Sequence, residues 1–411
     1  MIKHHKFTLK NGLRVIVHQD SSTPIVAVNT VYDVGAKDED ENRTGFAHLF
    51  EHLMFGGSVN IPEFDAPLQQ AGGTNNAFTS NDITNYYVTL PKQNLETALW
   101  LESDRMLSLA FTPKSLEVQR SVVIEEFKQR YLNQPYGDVW LLFRPLVYKT
   151  HPYKWATIGK EIKHIEDATM QEVKDFFAKH YNPQNAVLVI AGDVNLEEVK
   201  VLCEKWYGNI PSGKKYERNL PKEPKQTEAR FLEVKREVPQ NAIYKAWHIC
   251  DRLHPDYHAY DLLSDVLSRG NSSRLIQKLV KEQELFTQIS AYQMGSIEEG
   301  LFMVSGKVKE GVSMKDADKA ITDTLEEIKT ELITEKELTK VKNKVESSES
   351  FGLINVLNKS MRLAYYELLG NSEWSNQDFD KYEKVTPEDI QKVAKESLID
   401  SNCSTMYYLG N

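Results

Sequence analysis

The spacing of apolar residues changes period several times along the 411-residue chain, and each change marks an element. From Phe7 to Gln19, around Asn11-Gly12, the pattern is that of a hairpin: Thr8-Leu-Lys, a turn, then Leu13-Arg-Val-Ile-Val-His alternating toward Asp20. Ile25-Val-Ala-Val-Asn-Thr-Val-Tyr predicts a second strand. Over Thr44 to Phe55 the period lengthens to that of a helix, with Phe46, Leu49, Phe50 and Leu53 at helical spacing, Thr44 placed to cap it and Gly56-Gly57 to end it. Strand character returns from Asn85 to Leu90, and Leu95 to Leu109 predicts an amphipathic helix. Pro113 to about Leu132 predicts another, with Val118, Val122, Phe127 and Tyr131 along its apolar stripe. Strands and helices occur in both halves, which makes the fold class α+β.

The pattern also repeats. The segment from Asp167 to Asn185 precedes the strand Ala186 to Ile190, and the segment from Val385 to Asn402 precedes Thr405-Met-Tyr-Tyr-Leu. Both read as a threonine cap, an acid three residues later, an amphipathic helix, and an asparagine leading into a strand. Thr169 maps to Thr386 and Asn185 to Asn402 with the same offset of 217, and Phe55-Gly-Gly-Ser echoes Arg269-Gly-Asn-Ser at 214. Between the halves lies a charged, proline-bearing stretch without periodicity, which reads as an exposed linker. The expected architecture is two duplicated α/β-sandwich domains, each a mostly antiparallel sheet packed with helices: residues 1–212, a linker at 213–228, and residues 229–411.

Composition narrows the chemistry. The 50 basic and 59 acidic side chains give a net charge of −9, the wrong sign for a protein whose main partner is a phosphate backbone. Three scattered cysteines supply neither a disulfide framework nor a thiolate zinc cluster, so any metal must be held by histidines and carboxylates. The N-terminal Met1-Ile-Lys-His-His-Lys-Phe lacks the apolar stretch of a secretion signal. That points to the cytoplasm for the chain as written, and to the periplasm for a chain from which a signal was removed. No run approaches the ~20 apolar residues of a membrane span.

His48-Leu49-Phe50-Glu51-His52 is the sharpest chemical signal. Residues four apart share one helix face, so both imidazoles can reach one ion while Glu51 approaches a water held there. Zinc suits nitrogen and carboxylate donors, and a neighbouring carboxylate can take a proton from the activated water and pass it to a leaving amine. The composition predicts roughly 0.04 such patterns by chance. His254 and His258 share the spacing without an acid, in a proline-containing loop-like stretch, and read as ordinary structural histidines. Two histidines leave the coordination shell incomplete, so a third ligand must come from elsewhere in the chain.

The motif resembles the inverted zinc motif of the pitrilysin, insulin-degrading enzyme and mitochondrial processing peptidase family. The resemblance extends through Asn11-Gly-Leu-Arg-Val, Tyr32-Asp-Val-Gly-Ala, Thr44 to Ser58, Gly72-Gly-Thr-Asn-Asn-Ala-Phe-Thr, His151-Pro-Tyr and Tyr181 to Asp193, in family order; the second half matches more loosely. It implies a zinc metalloendopeptidase with one Zn2+ per chain, ligated by His48, His52 and a glutamate from a later helix. Ser121-Val-Val-Ile-Glu-Glu-Phe is similar to that helix. Helical phase does not choose between its adjacent glutamates, and the family register gives Glu126 over Glu125. Glu51 would be the catalytic base. Asn76, Ala77 and Phe78 resemble the edge strand on which the family lays an extended substrate through main-chain hydrogen bonds.

Two positions depart from the family pattern. Gln119 stands where a further glutamate is common, and Val280 and Thr287 stand where self-sufficient members present an arginine and a tyrosine to the substrate carbonyl. Such donors contribute a few kcal/mol of oxyanion stabilisation. The expectation is therefore a zinc-bearing subunit whose homologous partner, in a heterodimer or a homodimer, completes a chamber that admits short or unfolded polypeptides. A non-catalytic core subunit is the alternative within the family, and the retained motif weighs against it.

Overall fold

The computed structural model describes residues 1–410. They form two compact units. The first comprises Met1–Asn133, His151–Pro221 and Ser350–Asn376; the second comprises Gln134–Thr150, Lys222–Glu349 and the chain from Gln377 onward. The units therefore do not follow chain order alone. A reading by linker composition places one boundary near 213–228, where residues 211–229 form neither helix nor strand. It gives no hint that 350–376 belongs with the first unit or 134–150 with the second. The helix Val356–Leu369 packs on the first sheet, where Val356 joins Ala27 and Ala191 in a buried cluster, and the helix Val139–Val147 packs on the second sheet.

In the first unit, strands β1 (His5–Thr8), β2 (Arg14–Gln19), β3 (Ile25–Tyr32), β4 (Thr74–Thr79), β5 (Thr84–Pro91) and β6 (Ala186–Gly192) form one sheet in the order β1-β2-β6-β3-β5-β4. The hairpin around Asn11-Gly12 pairs His5 with Val17 and Thr8 with Arg14, and Gly12 takes φ +93, the left-handed conformation that glycine enters without strain. Every residue of β6 is buried, as its unbroken aliphatic run requires of a strand covered on both faces. β4 alternates between exposed and half-buried residues and is the open edge of the sheet.

The second unit repeats this plan. Strands β7 (Arg230–Arg236), β8 (Ala242–His248), β9 (Phe286–Met294), β10 (Leu301–Val308) and β11 (Cys403–Gly410) lie in the order β7-β11-β8-β10-β9. In each sheet one strand pair is parallel, β2 with β6 and β7 with β11, and the others are antiparallel in the same sequence. The echoed residues make matching bonds. Thr169 and Thr386 each form a capping box, with Glu172 and Asp389. Asn185 and Asn402 each donate from Nδ2 to the carbonyl five residues earlier, His180 and Ser397, both at 2.9 Å. Two amphipathic helices alike by chance would not share these side-chain bonds.

Two local expectations are corrected. The helix Pro113–Phe127 buries Leu116, Val123 and Phe127, whereas Val118 and Val122 are 48% and 43% exposed, so of the expected stripe Phe127 faces the core and the two valines face solvent. Thr44 does not cap the following helix. Its hydroxyl accepts the Lys160 amide at 2.7 Å and lies 2.8 Å from His164 Nδ1, while the N-cap is Gly45 at φ +88, which has no side chain to offer.

Candidate active site

The helix Phe46–Leu53 is fixed in rotation by its apolar side. Phe46, Leu49, Phe50 and Leu53 are buried, and the Phe50 ring packs 5.0 Å from Phe176 and 5.1 Å from Tyr181. Locking that side leaves His48, Glu51 and His52 on the other, where all three border one open cleft. The helix start is held by Glu39, whose carboxyl group accepts the Gly45 amide at 2.9 Å and the Ala47 amide at 2.8 Å. These are two of the amides that a helix leaves without an internal partner.

Glu126 reaches the same cleft from the helix Pro113–Phe127. Its Oε2 lies 3.7 Å from His48 Nε2 and 3.4 Å from His52 Nε2. Among the described residues these three form the one group of His, Cys, Asp or Glu side chains whose potential ligand atoms converge, all within 4.8 Å of one another. Donors arranged tetrahedrally around an ion at roughly 2.0–2.1 Å stand about 3.3–3.4 Å apart, a spacing the two Glu126–histidine separations approach, and the donor types are those zinc takes. The charge states also fit. Desolvation holds His48 down to about 4, against the opposing pull of Glu126, which keeps its imidazole neutral with a lone pair to give. Hydrogen bonding to His52 holds the Glu126 carboxyl below its ordinary range, and so ionised. Glu125 points elsewhere, 60% exposed and paired with Lys128 at 2.7 Å.

The cleft is open to solvent and offers a volume of about 400 Å³, and β4 forms one wall. Asn76, Ala77 and Phe78 line it, paired with Tyr87, Tyr86 and Asn85 of β5 on their inner edge only. The Ala77 amide donates to Asn76 Oδ1 at 2.8 Å, so a side chain occupies one donor of this otherwise open edge. Burial raises the Glu51 carboxyl above its ordinary value, opposed by a hydrogen bond from Thr79 Oγ1 to Glu51 Oε2 at 2.5 Å.

Three residues here carried no sequence signal that singled them out. Arg130, 71% exposed, donates from Nη1 to Glu126 Oε1 at 2.7 Å, which leaves Oε2 to the histidines. Its only trace in the sequence is a position four residues after Glu126. Thr79 has none, since strand alternation says which face it takes but not what it meets. Glu39 stands in the charged run from Lys37 to Glu41, whose composition does not single it out.

The remaining candidates fall outside this constellation. His258 is buried and bound to Asp378 at 2.9 Å, alongside Arg252, and His254 is an exposed loop residue that accepts the Asp256 amide. Gln119 is half-buried on the helix that carries Glu126. In the second unit Val280 packs against the core, and the Thr287 hydroxyl donates to Gln240 Oε1 at 3.2 Å. At the offset of 214 the counterparts of His48, Glu51 and His52 are Leu262, Asp265 and Val266, and the two aliphatic residues are buried in that unit's core.

The chain resembles known proteins over nearly its whole length. Residues 14–136 match the insulinase family (peptidase family M16), and residues 167–345 match the peptidase M16 inactive domain. The zinc protease PqqE of Helicobacter pylori is 32% identical over 98% of this chain and 92% of its own length. An uncharacterized zinc protease of Bacillus subtilis, YmxG, is 25% identical over 96% and 95%. The crystal structure of a protease from Helicobacter pylori, 30% identical, superposes over the whole of both chains with a TM-score of 0.93. No helix among the described residues is long and apolar enough to cross a membrane. Family models over most of the chain and full-length relatives of this similarity leave one assignment: the chain belongs to peptidase family M16, the insulinase and pitrilysin-like family that includes these zinc proteases.

Proposed function

We propose that the chain is a zinc metalloendopeptidase acting on short or unfolded polypeptides, with the first unit catalytic and the second structural. The observation that carries this reading is the convergence of His48 Nε2, His52 Nε2 and Glu126 Oε2 beside Glu51 and an open strand edge in one cleft. His48, His52 and Glu126 would hold one zinc ion. Zinc, when bound, supplies Lewis acidity that acidifies water and polarises a carbonyl. Glu51 takes the proton of the attacking water at its free oxygen and later gives it to the departing amine, so the carboxylate ends the cycle as it began. The substrate adds to β4 as an extended strand, its main chain held by the outward groups around Asn76, Ala77 and Phe78, which orients the scissile bond without demanding particular side chains. Arg130 steadies the ligand carboxylate, the role that outer-sphere partners commonly fill.

Val280 and Thr287 provide no arginine or tyrosine for the carbonyl oxygen, and we read this as division of labour. A homologous partner subunit would supply those donors and close the chamber. The test is metal content and cleavage of a quenched fluorescent unstructured peptide, for the chain alone and with a family partner. One zinc per chain with activity only on adding the partner is expected, and E51Q should retain zinc and lose cleavage. Full activity of the chain alone would refute the divided site. An E51Q chain as active as the wild type would refute the assignment of the base.

A further inference from the structure

Resting on the reading of Glu51 as the base, we propose that Thr79 is its positioning residue: the last residue of the substrate strand sets the orientation of the carboxylate that removes the proton from water. Thr79 Oγ1 donates to Glu51 Oε2 at 2.5 Å, within the 2.5–2.7 Å range of a hydroxyl bound to a carboxylate. That bond consumes one carboxylate oxygen and leaves Oε1 for the proton. Glutamate has three side-chain torsions and the helix fixes only its Cα, so without a partner the carboxylate would sample several orientations across the cleft.

Thr79 is itself held on both sides. Its strand is paired with β5 through Thr84, and the turn that follows is closed by the Ser80 amide on the Ile83 carbonyl at 2.9 Å. Behind the turn, the Ala36 and Lys37 amides donate to the Ser80 and Asn81 carbonyls at 3.1 and 2.9 Å, and Lys37 Nζ meets Asp82 at 2.8 Å. Asp82 also accepts the Tyr153 hydroxyl. A β-branched side chain on such a backbone has little χ1 freedom, so its hydroxyl is a fixed donor. Asn76, Ala77 and Phe78 precede Thr79 on the same strand, so pairing of a peptide with β4 stiffens the segment that holds the base. Substrate occupancy and base orientation are then mechanically linked.

The test compares wild type, T79V and T79S, each as the zinc-loaded full chain with whatever partner the wild type requires. Valine keeps the shape and removes the donor; serine keeps the donor. A misplacement of about 1 Å at a catalytic group can cost ~100-fold, so T79V is expected to lower kcat about 10- to 100-fold with KM within about twofold, and T79S to recover to within about threefold of wild type. T79A repeats the comparison without the extra methyl. The second readout needs no turnover: in crystal structures of the three chains the Glu51 carboxylate should leave its position in T79V and keep it in T79S. An unmoved Glu51 in T79V, or equal losses in T79V and T79S, overturns the proposal. A wild type that holds zinc but cleaves nothing with any partner refutes the peptidase reading instead, and the crystallographic comparison then decides the Thr79 contact by itself.

Discussion

Glu125 and Glu126 are adjacent, chemically identical and both helical, yet their expected contributions to metal binding differ by orders of magnitude. Glu126 Oε2 stands 3.4 and 3.7 Å from the two histidine nitrogens, whereas Glu125 is 60% exposed and paired with Lys128. Zinc held by three or four side chains is worth roughly 10–16 kcal/mol in small structural sites, or roughly 2.5–5 kcal/mol per ligand. A glutamine at 126 keeps a neutral carbonyl oxygen and recovers part of this, so we expect a loss of about 2–3 kcal/mol, or about 30- to 150-fold in affinity. Arg130 adds no further penalty in E126Q, because at 71% exposure it returns to water. The Glu125–Lys128 pair is a surface ion pair worth ~1 kcal/mol at most, and E125Q should leave zinc affinity unchanged.

The assay is competition for zinc between each variant and a chromophoric chelator. The rise in melting temperature on adding zinc serves as a second readout, since a 100-fold weaker site forfeits about 2.7 kcal/mol of ligand stabilisation at fixed zinc. Weak zinc binding in E125Q with normal binding in E126Q would show that the helix register is wrong. Normal binding in both would show that this helix does not ligate the metal.

Three further outcomes follow from residues away from the cleft. The hydrogen bond from Arg274 holds the Glu337 carboxyl at about 2, so its contribution is present above pH ~4.5 and is lost as pH falls toward 2; with Glu337 partly exposed we discount it to ~1–2 kcal/mol. Urea midpoints for wild type and R274Q should therefore differ at pH 6 and converge near pH 2. Burial pushes Glu39 up to about 8, so the unfolded chain releases this proton first as pH rises, and the linked stability declines between pH ~4.5 and 8. E39Q should flatten that slope, measured by urea unfolding of the metal-free chain from pH 5 to 8. Thr169→Ala and Thr386→Ala remove matching capping boxes and should each cost ~1 kcal/mol, with additive effects because the caps lie in different units. Unequal costs would show that the two repeats no longer use the motif alike.

What could be read from the chain was whatever its local period or spacing encodes. β3 runs from Ile25 to Tyr32, the span read as a strand, and the capping boxes at Thr169 and Thr386 form where a threonine precedes an acid by three. His48, Glu51 and His52 are legible because one helical turn brings them together. Glu126 is legible only through the family register, since its 3.4 Å approach to His52 depends on how two helices pack. The apolar stripe of that second helix was misread for the same reason: Val118 and Val122 are as hydrophobic as Leu116 and Val123, and only the packing of the helix decides which pair turns inward.

The least legible segment is Lys37-Asp38-Glu39, three successive charges that in most chains would sit in water, here only 1%, 7% and 8% exposed. Burying a polar side chain is costly unless it is partnered, and each of these finds its partner on a different element. Lys37 binds Asp82 beyond the end of β4, Asp38 binds Arg218 at 2.7 Å, and Glu39 binds the amides that start the helix of His48 and His52. Gly35 admits the close approach this requires, because a Cβ there would lie 2.5 Å from the Asn81 carbonyl. The consequence is geometric. Glu51 and Thr79 stand on separate elements, and a bond between their side chains persists only if the helix and the strand end keep a fixed distance. One short segment grips both, so its buried polar side chains act as a bracket: their desolvation cost is borne by the fold, and what it secures is the 2.5 Å contact between the strand that would carry substrate and the carboxyl group that would act on it.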